Sequence, residues 1–180
     1  MTDVAEIWLV TGIMAAGKST IAARLARRFP RAAHVPGDAF REMIVASRAE
    51  MTPNPSDEAV AQLRLRYRQA VTAALAFADG GITAVLDDIV IGPELARYVA
   101  LVGRPLHVVV LCPRPDTVAA REAERSKTGY TAFAVAELDA ALRTETPRLG
   151  LWIDSSSQTP DETVDAALAG RETARVASPA

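Results

Sequence analysis

Residues 6–21 read Glu6-Ile7-Trp8-Leu9-Val10-Thr11-Gly12-Ile13-Met14-Ala15-Ala16-Gly17-Lys18-Ser19-Thr20-Ile21. An apolar run suited to a buried strand leads into a glycine turn. Beyond it, Ile21, Leu25 and Phe29 fall on one side of a helix. Gly12 to Ser19 is a full match to G-x-x-x-x-G-K-[ST], and the strand-turn-helix setting is what gives that match its meaning. Gly12 and Gly17 supply the conformations and clearance that bring backbone N–H groups against phosphate oxygens. Lys18 neutralises charge on the β and γ phosphates. Ser19 offers a hydroxyl to Mg²⁺, and the helix N-terminus adds partial positive charge. Gly12, Ile13, Met14, Ala15, Ala16, Gly17, Lys18, Ser19 and Thr20 are therefore expected to bind ATP with magnesium.

Outward from this segment, short apolar runs alternate with longer helical patterns, the order that builds a parallel sheet covered on both faces. Strands are expected at Ile7–Thr11, Ala33–Pro36, Thr83–Asp87, Leu106–Leu111 and Leu151–Ile153. Helices are expected over Lys18–Arg28, Ala39–Arg48, Asp57–Ala78, Pro93–Val102, Pro115–Arg125 and Phe133–Thr144, with a last one after Pro160. Pro93, Pro115 and Pro160 suit first-turn positions, and Gly80-Gly81 stops the long third helix. The pattern predicts an α/β, P-loop NTPase three-layer sandwich with five parallel strands and a mobile lid.

The chain has 180 residues and a formal net charge of −2. That length suits one domain with a substantial core, expected over residues 1–170, with 171–180 as a frayed tail. Cys112 is the single cysteine, so no disulfide forms within one chain. The acidic start Met1 to Trp8 does not resemble a signal peptide, and no apolar run reaches membrane-spanning length, so a cytoplasmic protein is expected. The acidic balance lacks the basic surplus of a protein that grips many nucleic-acid phosphates.

Asp38 lies twenty positions beyond Lys18, directly after the second strand, where strand ends face a ligand crevice. A carboxylate there can take the proton of an attacking hydroxyl; capping the helix that starts at Ala39 is the competing role. Arg41, one turn on, can pair with Asp38, hold an anionic acceptor group, or simply face solvent. The third strand ends in Asp87-Asp88, whose side chains must point opposite ways. Asp87 is assigned to magnesium and Asp88 to the acceptor side, although the reverse order satisfies the pattern equally. Arg121 and Arg125 share a helix face before Ser126-Lys127-Thr128-Gly129, which suits a catalytic lid; the competing reading pairs them with Glu122 and Glu124. His34 and His107 fall within strands and are expected to be structural.

The order GxxxxGKS, strand, Gly37-Asp38-x-x-Arg41, a strand ending in Asp87-Asp88, and an Arg121-x-x-x-Arg125 lid resembles the P-loop kinase group. That group includes chloramphenicol phosphotransferase, gluconate kinase and the kinase domain of phage polynucleotide kinase. The resemblance spans about Glu6 to Ala169. It implies that Asp38 matches the family's base aspartate, that Arg41 matches an arginine of the polynucleotide kinases, and that Asp88 in LDDIVIGPELAR matches their third-strand acid. The acceptor pocket then falls in Ile44 to Phe77.

The expectation is an ATP-dependent phosphotransferase acting on a hydroxyl of a small molecule, a metabolite or antibiotic. A 5′-hydroxyl polynucleotide or nucleotide kinase is the alternative, and a regulatory ATPase is the alternative of another class.

Overall fold

The structure is a computed structural model that describes residues 5–124 and 135–177. Strand β1 (Ile7–Gly12) is buried along its whole length and runs down the centre of the sheet. It pairs in parallel with β3 (Thr83–Asp87) on one side and β4 (Leu106–Leu111) on the other. Outside these lie β2 (Ala32–Pro36) and β5 (Leu151–Ile153), giving the order β2-β3-β1-β4-β5. The three central strands are continuous apolar runs because each is covered on both faces.

Helix α1 (Lys18–Ala26) follows the glycine turn and packs on β3 and on α7 (Pro160–Ala169). Helix α2 (Gly37–Glu42) is short, whereas α3 (Asp57–Asp79) runs for 23 residues and packs on β2, β3 and α4 (Glu94–Val102). After β4 comes α5 (Pro115–Ala123). Then α6 (Val135–Ala140) continues into a π-helical turn, Ala141–Glu145. The core joins Trp8, Leu9 and Val10 to Leu25, Leu86, Tyr98, Val109 and Leu111.

The five expected strands are present, but three expectations change. The helix expected over Ala39–Arg48 stops at Glu42. The apolar residues beyond it face outward, Met43 at 67% and Val45 at 94% exposure. The tail is not frayed over its first part: α8 (Arg171–Ala174) leads into β6 (Arg175–Val176), which pairs antiparallel with β4. Ala174 is buried, and Arg171 pairs with Glu6. Of the helix expected over Phe133–Thr144, residues 133 and 134 lie outside the described residues, and the described part ends in a turn of π geometry.

Candidate active site

Gly12 ends β1 at a φ of 146°, and a Cβ there would stand 2.5 Å from the carbonyl oxygen of Leu111 on the neighbouring strand. Glycine is required on both counts. Gly17, at φ 97°, caps α1; a Cβ on it would have space, so the conformation alone demands glycine. Ala15 also has positive φ, at 58°, and the Ala16 amide donates to the Ile13 carbonyl. The turn is thereby folded tightly around its own backbone, the concave arrangement of N–H groups that receives phosphate. Lys18 Nζ donates to the Ile13 carbonyl at 2.9 Å, which holds the side chain arched over the loop. Ser19 and Thr20 are exposed in the first turn of α1.

Asp87 and Asp88 point to different partners, as strand alternation requires. Ser19 Oγ donates to Asp87 Oδ1 at 2.9 Å, and His34 Nε2 lies 2.5 Å from Asp87 Oδ2. His34 therefore sits on the expected magnesium acid rather than standing apart in β2. A hydroxyl and a carboxylate this close form the hard oxygen donor set that Mg²⁺ takes alongside phosphate oxygens and water. Among the described residues there is no cluster of three or more His, Cys, Asp or Glu suited to a metal.

Asp88 turns inward. Its side chain is 3% exposed, and Oδ1 accepts from Arg66 Nη2 at 2.6 Å and from the Ile89 amide at 2.7 Å. Burial pushes its carboxyl up to about 6, against the pull of the Arg66 guanidinium. This carboxylate is not open to a cleft, so the direct acceptor contact expected of it is not available in this arrangement.

Asp38 has an 81% exposed side chain beyond the carboxyl end of β2. It is not the helix cap that the competing reading proposed. The N-cap of α2 is Pro36, with no side-chain cap bond, and Asp38 occupies the first turn. Its carboxylate faces Arg66 Nη1 at 3.5 Å. Arg41 does not pair with Asp38; it pairs with Glu50, which Arg48 also reaches at 3.3 Å. Arg121 projects from α5 to the back of the glycine turn, donating to the Ala16 carbonyl at 3.3 Å and the Ser155 carbonyl at 2.9 Å. Arg125 lies outside the described residues.

Sequence reasoning missed Arg66 and the His34–Asp87 contact. The signal for Arg66 was present: it falls on the stripe Ala59, Leu63, Ala70, Ala74 of α3, where helical period calls for an apolar residue. Nothing local announces the His34 contact, which depends on β2 lying beside β3 with His34 opposite Val85.

A parallel sheet in the order 2-3-1-4-5, with a GxxxxGKS turn between its central strand and the next helix, defines a P-loop NTPase. The family model described as an AAA domain, AAA_33, matches residues 7–147, and the chain belongs to that family. Nothing among curated proteins matches it. Among solved structures it is similar to a sugar kinase from Janibacter sp. HTCC2649, at 20% identity and a TM-score of 0.71, over 94% of this chain and 96% of that one. The APS kinase CysC of Mycobacterium tuberculosis, in complex with AMPPNP and APS, is 18% identical with a TM-score of 0.68, over 93% and 98% of the two chains. A gluconokinase from Sinorhizobium meliloti 1021 is 18% identical with a TM-score of 0.65, over 94% and 93%. The likeness to the P-loop kinase group read from the sequence thus holds at the level of fold. Among the described residues, no helix is long and apolar enough to cross a membrane.

Proposed function

We propose that this protein is an ATP-dependent phosphotransferase that moves the γ-phosphoryl group to a hydroxyl of a small molecule. The observation that carries the reading is the placement of two sets of groups at the same edge of the sheet. The glycine turn, Lys18, Ser19 and Asp87 stand at the ends of β1 and β3, and exposed Asp38 stands beyond the end of neighbouring β2. The first set suits a triphosphate and the second suits an attacking hydroxyl. The kinase neighbours support the same class.

The backbone amides of the turn and Lys18 draw charge from the phosphate oxygens, and α1 contributes the partial charge of its N-terminus. Ser19 and Asp87 would hold Mg²⁺, which supplies charge neutralisation at the β and γ phosphates. Asp38 takes the proton from the acceptor hydroxyl as its oxygen forms a bond to the γ-phosphorus. The bond from that phosphorus to the bridging oxygen breaks, and ADP leaves with the electron pair. Arg121, at the back of the turn, is placed to follow charge that develops on the phosphates.

The test is incubation with Mg-[γ-³²P]ATP and separate panels of sugars, sugar acids, hydroxylated antibiotics, nucleosides and a 5′-hydroxyl oligonucleotide. Label in a sugar, sugar acid or antibiotic is the expected result. Label only in the oligonucleotide would select the polynucleotide reading. Release of inorganic phosphate with no labelled acceptor would select a regulatory ATPase.

A further inference from the structure

We infer that Arg66 is a positioning residue for the phosphotransfer proposed above, holding the first turn of α2 and the Asp38 carboxylate in place through its grip on Asp88. The inference rests on the reading of Asp38 as the group that faces the acceptor hydroxyl.

Helix α2 is held at its middle by Phe40, which packs partly buried against the core, and along its length by contact with α3, but its first turn has less. The helix spans six residues, its N-cap makes no side-chain bond, and Gly37 is its one buried residue. Asp38 is exposed, and among the described residues its carboxylate has one polar partner, Arg66. Arg66 itself is fixed. Its side chain is 11% exposed, one arm reaches Asp88 at 2.6 Å, and its guanidinium carbon lies 5.7 Å from the centre of the Tyr67 ring. Tyr67 is anchored in turn, its hydroxyl donating to the Ile89 carbonyl at 2.6 Å.

The same carboxylate meets α2 from the other side. Asp88 Oδ2 lies 2.0 Å from where a Cβ on Gly37 would stand, so the acid is seated against the first residue of the helix. Arg66 and Asp88 together therefore hold residues 37 and 38, one through van der Waals contact at Gly37 and one through charge at Asp38. The planar fork of arginine can serve two carboxylates at once, which the single ammonium of lysine does poorly. The 3.5 Å separation from Asp38 is that of a resting site, where contacts to a base are long and shorten on substrate binding.

Stability alone is a poor account of this cluster. Arg66 Nε, Asp88 Oδ2 and the Tyr98 hydroxyl are all buried without a hydrogen-bond partner. A buried pair left incompletely satisfied contributes little net stability over an apolar replacement. What the arrangement does provide is a fixed location for α2.

The experiment compares Arg66→Lys, Asp38→Asn, their combination, and the charge-neutral pair Arg66→Met/Asp88→Asn, which leaves no unpaired buried charge. Two readouts are used: hydrogen exchange of the amides of residues 38–44, and single-turnover consumption of Mg-ATP with water as the acceptor. Arg66→Lys should leave Mg-ATP affinity unchanged, speed exchange in residues 38–44, and slow turnover by about tenfold or more. In the Asp38→Asn background the same substitution should change turnover less than about twofold, because its target is already gone. The charge-neutral pair should match Arg66→Lys in exchange and rate. Equal rate losses in both backgrounds would overturn the inference, as would unchanged exchange in either Arg66 variant. Failure of the phosphotransferase reading would look different: no hydroxyl acceptor would take label from Mg-ATP, and Asp38→Asn would consume Mg-ATP with water at the parent rate. Exchange in residues 38–44 would then still report whether Arg66 holds α2.

Discussion

In the proposed reaction Lys18 and Asp38 have different roles on different elements, and single substitutions separate them. Lys18 arches over the glycine turn with its ammonium on the Ile13 carbonyl, so Lys18→Ala removes a charge that backbone donors alone cannot replace. Calorimetric titration with Mg-ATP should show most of the affinity lost, with thermal stability near that of the parent. Gly37 makes a purely steric prediction, since its backbone is not in the left-handed region. Alanine there would drive its Cβ into an Asp88 carboxylate that Arg66 and the Ile89 amide both hold. Gly37→Ala should cost about 1–3 kcal/mol in a urea melt. Combining it with Asp88→Ser should recover part of that loss.

At the scale of elements, α5 and the turn after β5 brace the phosphate loop from behind through Arg121, which spans the Ala16 and Ser155 carbonyls. In the proposed reaction the Arg121 guanidinium turns to the charge that develops on the phosphates, so Arg121→Ala is expected to lower the single-turnover rate more than it weakens Mg-ATP affinity. Parallel measurement of both quantities decides the point. The elements also show which parts of the sequence spoke clearly. Strands β1, β3 and β4 were legible because burial on both faces forces unbroken apolar runs. The end of α2 was not. Met43, Ile44 and Val45 continue an apolar pattern past Glu42, but the chain leaves the helix there and exposes Val45. Arg66 was hidden for a related reason, because an arginine on an apolar stripe reads as a margin residue until β3 places Asp88 beneath it.

For the whole molecule, the last short strand joins the start of β4 from about seventy residues further along the chain. β6 adds to β4 with Val176 opposite Leu106 and Arg175 opposite His107, beside the ring stack of His107 on Trp8 at 4.4 Å. Two strand residues carry no periodicity, so this pairing could not be read ahead of the fold. The acids of the site were legible because strands that end at one edge must deliver their side chains there. Their partners, His34 and Arg66, were not, because those contacts exist only once β2 and α3 lie against β3. Ending the chain after Gly170 removes α8, β6 and the Arg171–Glu6 ion pair. The loss should be on the order of 2 kcal/mol, lowering Tm by roughly 4–8 °C while the nucleotide site survives. Differential scanning fluorimetry with and without Mg-ATP checks both halves of that expectation.

The central claim is that the two sets of groups at this sheet edge cooperate in moving phosphate to a hydroxyl, with Asp38 as the base. Asp38→Asn tests it most directly, because the side chain keeps its size while losing its charge, and the cap of α2 is Pro36 and is untouched. The measurement is single-turnover transfer of label from Mg-[γ-³²P]ATP to the acceptor found by screening, with Mg-ATP affinity determined alongside. The account predicts unchanged affinity and a transfer rate lowered by about a hundredfold or more. Transfer by Asp38→Asn at the parent rate would contradict it.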